Sequence, residues 1–428
     1  MARVLSVPTR SELGGLGELI AALDPASFRD AAHVGAQVHA VIACLGFGAL
    51  TELDEVPSHL RSTIRAGVPA DTREAIAKAE AVATLGAASD LDPLDRGPAH
   101  IALPSAVAAL VLAQHRGRSS ADVVDAVAVG IEVGARLRRC VTSVRPGVGF
   151  HSAGTFGLFA AAAACARLLR LDAASAANAI AISLTRAAGL SLNSAMTRIG
   201  LTHFGRAAGG AIEAALLAED GWTASQRLDI AFDTFFGSGA DFAPLEAAEY
   251  VSAMRPAAFK HYPCNIYLNL AVRALLRSGH TAGPIEVVLP PVRHLDNAHP
   301  VDLRELRNSA QGAVAAVSLY GPSYKSFTAK TLRIGANAAL TERLREITVR
   351  IDVERSTSLD SARVDVTTAV GTESSSAEEL GSWSADDLVR LRSGFERETR
   401  SWAEAPLDAD LLRMFDTILR SNGQEKGL

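Results

Sequence analysis

Thr155–Arg170 reads TFGLFAAAAACARLLR, and this stretch decides the fold. Small side chains of high helix propensity, without a β-branched cluster, specify a helix. A helix apolar on every face belongs in a core. Arg167, the many alanines and a length short of the roughly 20 residues that cross a bilayer argue against a membrane span. The same texture recurs in Ser105–Gln114, Ala121–Arg139, Ala173–Ala188 and Arg206–Glu219. Local punctuation agrees: Pro104 sits in a first turn, Ser119 and Asp122 form a capping-box pair, and Gly117, Gly189 and Gly221 follow helix ends. Alanine-rich faces let helices approach closely, so residues 1–254 read as a large all-α domain.

Beyond residue 255 the pattern changes. Ile285–Leu289 is a short β-like run closed by Pro290 and Pro291. Ile347, Val349, Ile351 and Val353 alternate with polar residues, which marks a half-buried strand. Val364, Val366, Thr368 and Val370 repeat that alternation one loop later, so an antiparallel pair is expected, with helices from about 303 to 345 on one face. Residues 255–383 thus read as a smaller α+β domain. A capping pair, Ser384 and Asp387, and helical spacing in Ala409–Arg420 predict that residues 384–428 return to helix and complete the first domain. The expected fold is mainly α, with a large all-α domain and a smaller α+β domain.

The 428 residues are 48% apolar and 21% charged, ordinary globular usage at a length of two or three domains. A net charge of -5 argues against a general polyanion-binding surface, so nucleic acid is not an expected partner. Cys44, Cys140, Cys165 and Cys264 are scattered without a Cys-x-x-Cys pair, which fits a reducing cytoplasm better than a disulfide framework. No signal-peptide pattern marks Met1–Arg10, and a membrane is not expected as a partner. The glycine groups Gly14–Gly17 and Gly46–Gly48 complete no dinucleotide fingerprint and read as turns.

Histidines and charged groups in otherwise apolar or glycine-rich segments need a partner or a task. Four places stand out. The acidic loop Asp90–His100 leads into the helix near Pro104, and His151 stands at the mouth of the alanine helix, where helix N-termini attract anions. His203 and Arg206 share a loop-to-helix transition, and a guanidinium there suits carboxylate binding. Lys260 lies between apolar neighbours at the domain junction, where clefts form. His294 and His299 flank Asp296 and Asn297 without metal-ligand spacing, and read as a polar loop.

Phe150–Gly157 with the alanine helix after it, His203–Ala208 through Gly221-Trp222-Thr223, and Phe259-Lys260-x-Tyr262-Pro263 occur in order along the chain. Together they resemble the MmgE/PrpD family, which includes 2-methylcitrate dehydratase, cis-aconitate decarboxylase and iminodisuccinate epimerase. The resemblance implies a helical domain, an α+β lid, a homodimer and an active site between the two domains. It carries over Asp92, His100, His151 and Lys260 as catalytic residues, with Tyr320 a looser match in the lid. The chain departs from decarboxylase relatives with Gly200 where they have Lys and Asn265 where they have His, and Arg96 replaces a common Thr.

The expectation is a lyase that needs no metal or other cofactor, acting on a small carboxylic acid by α-proton abstraction and β-elimination. Histidine titrates near neutrality, so His100 and His151 can divide the base and acid roles in either order, with Asp92 orienting one of them. Lys260 would stabilise enolate-like charge, assisted by Arg198 or Arg206, with His203, Asn265 and Tyr320 also facing substrate. The same groups could serve an epimerase or a decarboxylase, and Gly200 and Asn265 leave a non-catalytic binding relative open.

Overall fold

The computed structural model describes residues 12–23, 31–141, 149–195, 197–237, 239–246 and 257–381, with residues 411, 413, 414 and 417 of the tail. Ten helices come first: α1 Glu12–Ala22, α2 Ala31–Thr51, α3 Ser58–Arg65, α4 Thr72–Ala88, α5 Ala102–Arg116, α6 Ser120–Arg139, α7 Phe156–Leu169, α8 Ala173–Leu184, α9 Ile199–Glu219 and α10 Leu228–Phe236. Then follow α11 Ile266–Ser278, β1 Ile285–Leu289, α12 Leu303–Arg307, α13 Ala310–Tyr320, α14 Ala329–Leu332, α15 Ala338–Arg345, β2 Ile347–Ile351, β3 Arg363–Thr368 and β4 Gly371–Ser376.

Helix α7, the alanine stretch, is the axis of the first core. Every residue of it except Arg167 is buried, and α5, α6, α8 and α9 all pack against it. Glycines on α6 allow the close approach: a Cβ at Gly130 or Gly134 would stand 2.7 Å from Ala160. A larger residue there would overpack the pair at a cost of about 1–3 kcal/mol. Arg167 leaves the core to bind Asp125 of α6 at 2.7 Å and carbonyls of α1. Ser152–Leu169 is long and apolar enough by composition to cross a membrane, yet 89% of it is buried inside the protein. The Ser119–Asp122 capping box opens α6, and Gly117 closes α5 in the left-handed region at φ 61°.

The glycine groups are not turns. Gly14, Gly15 and Gly17 lie within α1, and Gly46 and Gly48 within α2. Two of them permit close helix contact: a Cβ at Gly48 would meet the carbonyl of Leu85 at 2.5 Å, and one at Gly17 would strike the carbonyl of Ala173. Helix α9 also starts earlier than expected, so His203 and Arg206 are helical. The Ser384–Asp387 capping pair lies outside the described residues. In the tail, Leu411 is buried in the first core and Met414 packs against it.

A second core gathers around a four-stranded sheet of order β2-β1-β3-β4. The two alternating runs do not pair with each other. β1 separates them, parallel to β2 and antiparallel to β3, while β3 pairs antiparallel with β4. The reason is in β1 itself: Ile285, Val287, Val288 and Leu289 are all buried, as a central strand requires. The edges are β2 and β4, and β4 is a polar strand, GTESSS, without an apolar signal. Val353 and Val370 fall beyond the strands and are exposed. Helix α11 packs on β3 and β4, and α13 on β2.

The cores meet along polar as well as apolar contacts. Arg307 of α12, fully buried, bonds Glu52 at 2.7 Å and the Ala88 carbonyl at 2.7 Å. Arg96 donates to the Leu359 carbonyl at 2.6 Å and that of Ala377 at 3.2 Å. Leu94 and Ala258 form an antiparallel bridge, with bonds of 2.9 and 2.8 Å.

Candidate functional site

That bridge builds the site. In antiparallel register, Leu94 opposite Ala258 sets Asp92 opposite Lys260. Asp90, two residues earlier, takes φ 56°, a left-handed conformation that Asp tolerates better than most residues. Both carboxylates accept from the Lys260 ammonium at 3.0 Å, and Lys260 is only 3% exposed. Burial alone would raise both acids, but Lys260, with Arg304 beside Asp90 and His100 beside Asp92, outweighs it and holds both below the usual carboxylate range. Burial would likewise discharge the lysine; the two aspartates reverse this and push its pKa up. Lys260 is therefore a fixed cation and not a free base.

His100 lies in the loop just before α5, its Nδ1 2.5 Å from Asp92 Oδ2. A carboxylate there keeps the ring proton on Nδ1 and leaves Nε2 as the basic nitrogen. His151 comes from the turn before α7, its N–H donating to the Gly189 carbonyl at 2.8 Å. Gly189 has φ 94°, and a Cβ there would stand 2.9 Å from the His203 ring, so the glycine makes room for that imidazole. His151 Nδ1 and His203 Nδ1 are 3.0 Å apart, so one must donate and the other accept. Burial first, then the neighbouring His100, His203 and Arg304, keep His151 well below the ordinary histidine range, which leaves it neutral. Phe204 packs edge-on against both His100 and His151, whose ring centroids are 5.2 Å apart.

These groups line a cavity of about 150 Å3 between the two cores, which holds Asp90, Asp92, His100, His151 and Lys260. That volume is small beside the roughly 300–1,000 Å3 of pockets for drug-sized ligands. Asn265 lines it too, but as the cap of α11, its side chain accepting from the Tyr267 N–H at 3.2 Å. His203 supports the cavity through His151.

Three expected substrate contacts lie elsewhere. Arg206 is 77% exposed and pairs with Glu80. Arg198 is 59% exposed and paired with Glu55. Tyr320 ends α13 half-exposed, its hydroxyl accepting from Asn337 at 2.5 Å. In each case the side chain finds its partner on the surface, away from the cavity.

Sequence reasoning left Arg304 and His294 without a role and quoted Asp90 only as part of the acidic loop; all three line the cavity. Arg304 donates to Asp90 Oδ2 at 3.1 Å and to the Ser194 carbonyl at 2.6 Å. No sequence signal distinguishes it within LRELR from a solvated helical arginine. Gly200 packs where a Cβ would stand 2.5 Å from the Ser194 carbonyl, so the position has no room for the lysine of decarboxylase relatives. Among the described residues no group of three or more His, Cys, Asp or Glu is arranged to hold a metal ion.

Residues 62–237 match the MmgE/PrpD N-terminal domain. Asp90, Asp92, His100, His151 and His203 fall within that match, and Lys260, His294 and Arg304 beyond it. Human cis-aconitate decarboxylase is 28% identical over 225 residues, covering 47% of this chain and 46% of its own length, so the chain spans about half of that relative. The matched domain and this relative support the MmgE/PrpD family for this chain.

Proposed function

We propose that the protein is a lyase acting on a small carboxylic acid, within the dehydratase and decarboxylase chemistry that the family match and the human relative support. The observation that carries this reading is the convergence of the Asp92–His100 pair, neutral His151 and the Lys260 cation on one small cavity. In the hydro-lyase form, His100 Nε2 takes the proton α to the carboxylate, and Asp92 stabilises the imidazolium that results. With His203 donating to His151 Nδ1, His151 carries its own proton on Nε2 and hydrogen-bonds the β-hydroxyl, which departs as water with the proton taken by His100. The fixed charge of Lys260 keeps Asp92 ionised beside His100, so that the carboxylate can stabilise the imidazolium. Residues 255–383 act as a lid over a helical body of residues 1–254 and 384–428.

The human relative's name favours a second outcome, loss of CO2 in place of water, after which an imidazole protonates the carbanion. Incubation with candidate hydroxy acids and unsaturated acids in D2O, followed by proton NMR and CO2 trapping, tests both. Hydro-lyase chemistry gives α-deuteration without CO2, and decarboxylation gives CO2 with one deuterium in the product. Neither result with any acid, or either result unchanged in His100→Gln, would overturn the proposal.

A further inference from the structure

The cavity's charges bear on how many carboxylates its ligand carries. Its lining has two anions, Asp90 and Asp92, and two cations, Lys260 and Arg304, among the described residues. Lys260 is spent on both aspartates. Arg307, which also lies on α12, is spent on Glu52. The histidines His151, His203 and His294 are all held neutral, His294 by burial and then by Arg304, which bring it to about 4. Outside the Asp92–His100 pair, the two anions and two cations of the lining are thus matched before any ligand arrives. One carboxylate can be matched by one proton gained on an imidazole. A second or third would enter a small, largely buried space as an uncompensated charge.

The lining also shows where that one carboxylate goes. Arg304 uses one terminal nitrogen on Asp90 and the other on Ser194, but its Nε is buried without a partner. His294 Nε2 is buried and equally without a partner, and both residues line the cavity. Buried nitrogens of this kind are rarely left unmatched in a folded protein, and two on residues that line one cavity point to a polar ligand there. Arg304 lines the cavity together with His151 and His294, and burial together with its charge holds both imidazoles below their ordinary range. A carboxylate against Arg304 would cancel that charge and ease proton uptake by the same rings.

We infer that this site takes a monocarboxylate, received by Arg304 and His294 on the α+β side of the cavity. The inference rests on the reading of the cavity as a small-acid site, but it commits to the charge of the ligand and to residues the reaction scheme does not use. It also sets this chain apart from a relative named for a tricarboxylate.

Calorimetric titration of the whole chain with crotonate, fumarate and cis-aconitate, carrying one, two and three carboxylates, tests the inference without requiring turnover. Crotonate is expected to bind at least about tenfold more tightly than either of the others. Arg304→Gln and His294→Phe should each weaken crotonate about tenfold or more, while Arg206→Ala, outside the cavity lining, should leave crotonate affinity nearly unchanged. If Arg304→Gln fails to fold, Arg304→Lys and His294→Phe carry the test. Fumarate or cis-aconitate binding as well as crotonate, absence of crotonate binding, or full affinity in the folded variants would overturn it. Absence of deuteration with every acid would instead remove the lyase reading and leave these binding results standing.

Discussion

Asp90 and Asp92 offer a matched pair of perturbations. Each accepts from Lys260 at 3.0 Å, so Asp90→Asn and Asp92→Asn both remove one charged hydrogen bond from the same ammonium, at about 1.5–3 kcal/mol. Asn also tolerates the left-handed backbone at position 90, so the first variant adds no strain. The variants differ in their second partner. Asp90 holds Arg304, while Asp92 holds His100. An amide at position 92 can donate to His100 Nδ1, which moves the ring proton to Nε2 and removes the base from the cavity. The corresponding Asp to Asn change in a Ser-His-Asp triad lowers kcat about 10^4-fold, and a loss of about 10^3 to 10^4, or 4–5.5 kcal/mol of barrier, is expected here.

The assay is the deuteration or turnover rate at saturating acid, with denaturant melts as a control for folding. Asp92→Asn should fall chiefly in kcat, Asp90→Asn chiefly in KM, because it loosens Arg304 without altering the imidazole tautomer. Equal losses of kcat in the two variants, or a folded Asp92→Asn within about tenfold of the parent, would refute the assignment of Asp92 as the residue that sets the His100 proton.

Lys260→Met leaves two buried carboxylates short of a partner and should destabilise the fold by about 3–5 kcal/mol in urea titration; a loss below about 1 kcal/mol would mean the cluster is hydrated. Asp90 and Asp92 are held below the unfolded carboxylate value of about 3.9, so their contribution is complete above that pH and lost as pH falls through the folded values. Asp92→Asn should therefore flatten the acid limb of a plot of urea midpoint against pH, and an unchanged slope would count against this. Gly200→Ala forces a Cβ against the Ser194 carbonyl that holds Arg304, so it should cost about 1–3 kcal/mol and weaken crotonate binding; parental stability would show that the loop gives way. Arg206→Ala should stay within about 0.5 kcal/mol of parental stability at full activity, and a loss of activity would restore Arg206 to the site.

The helices were legible because alanine, caps and glycine stops act locally, and the Ser119–Asp122 box and Gly117 stand where expected. Strand partners were not. Two alternating runs look like natural neighbours, and the cue that Ile285–Leu289 lies between them is its unbroken apolar character, in a stretch too short to decide alone. In the site, His100, His151, Asp92 and Lys260 were identified as chemical groups in unusual surroundings and do share the cavity. Arg198, Arg206 and Arg304 look alike as arginines near helix starts. Only tertiary contacts sort them, sending two to surface glutamates and burying the third against Asp90. Gly14–Gly17 misled for a related reason: glycine serves tight helix packing as well as turns, and only the neighbour across the contact tells which.

The charges that prepare His100 also join the two cores. The acidic loop belongs to the helical part, while Lys260 and Arg304 come from the part around the sheet. Separated, each would bear buried-type charges without partners, and docking cancels them. Arg307 on Glu52 and Arg96 on two carbonyls of the α+β part repeat the pattern nearby. A surface salt bridge could not do this, since water would screen it whether or not the parts were docked. Lys260 thus offsets the burial that would otherwise neutralise Asp92 in the docked arrangement, and it keeps the carboxylate ionised beside His100.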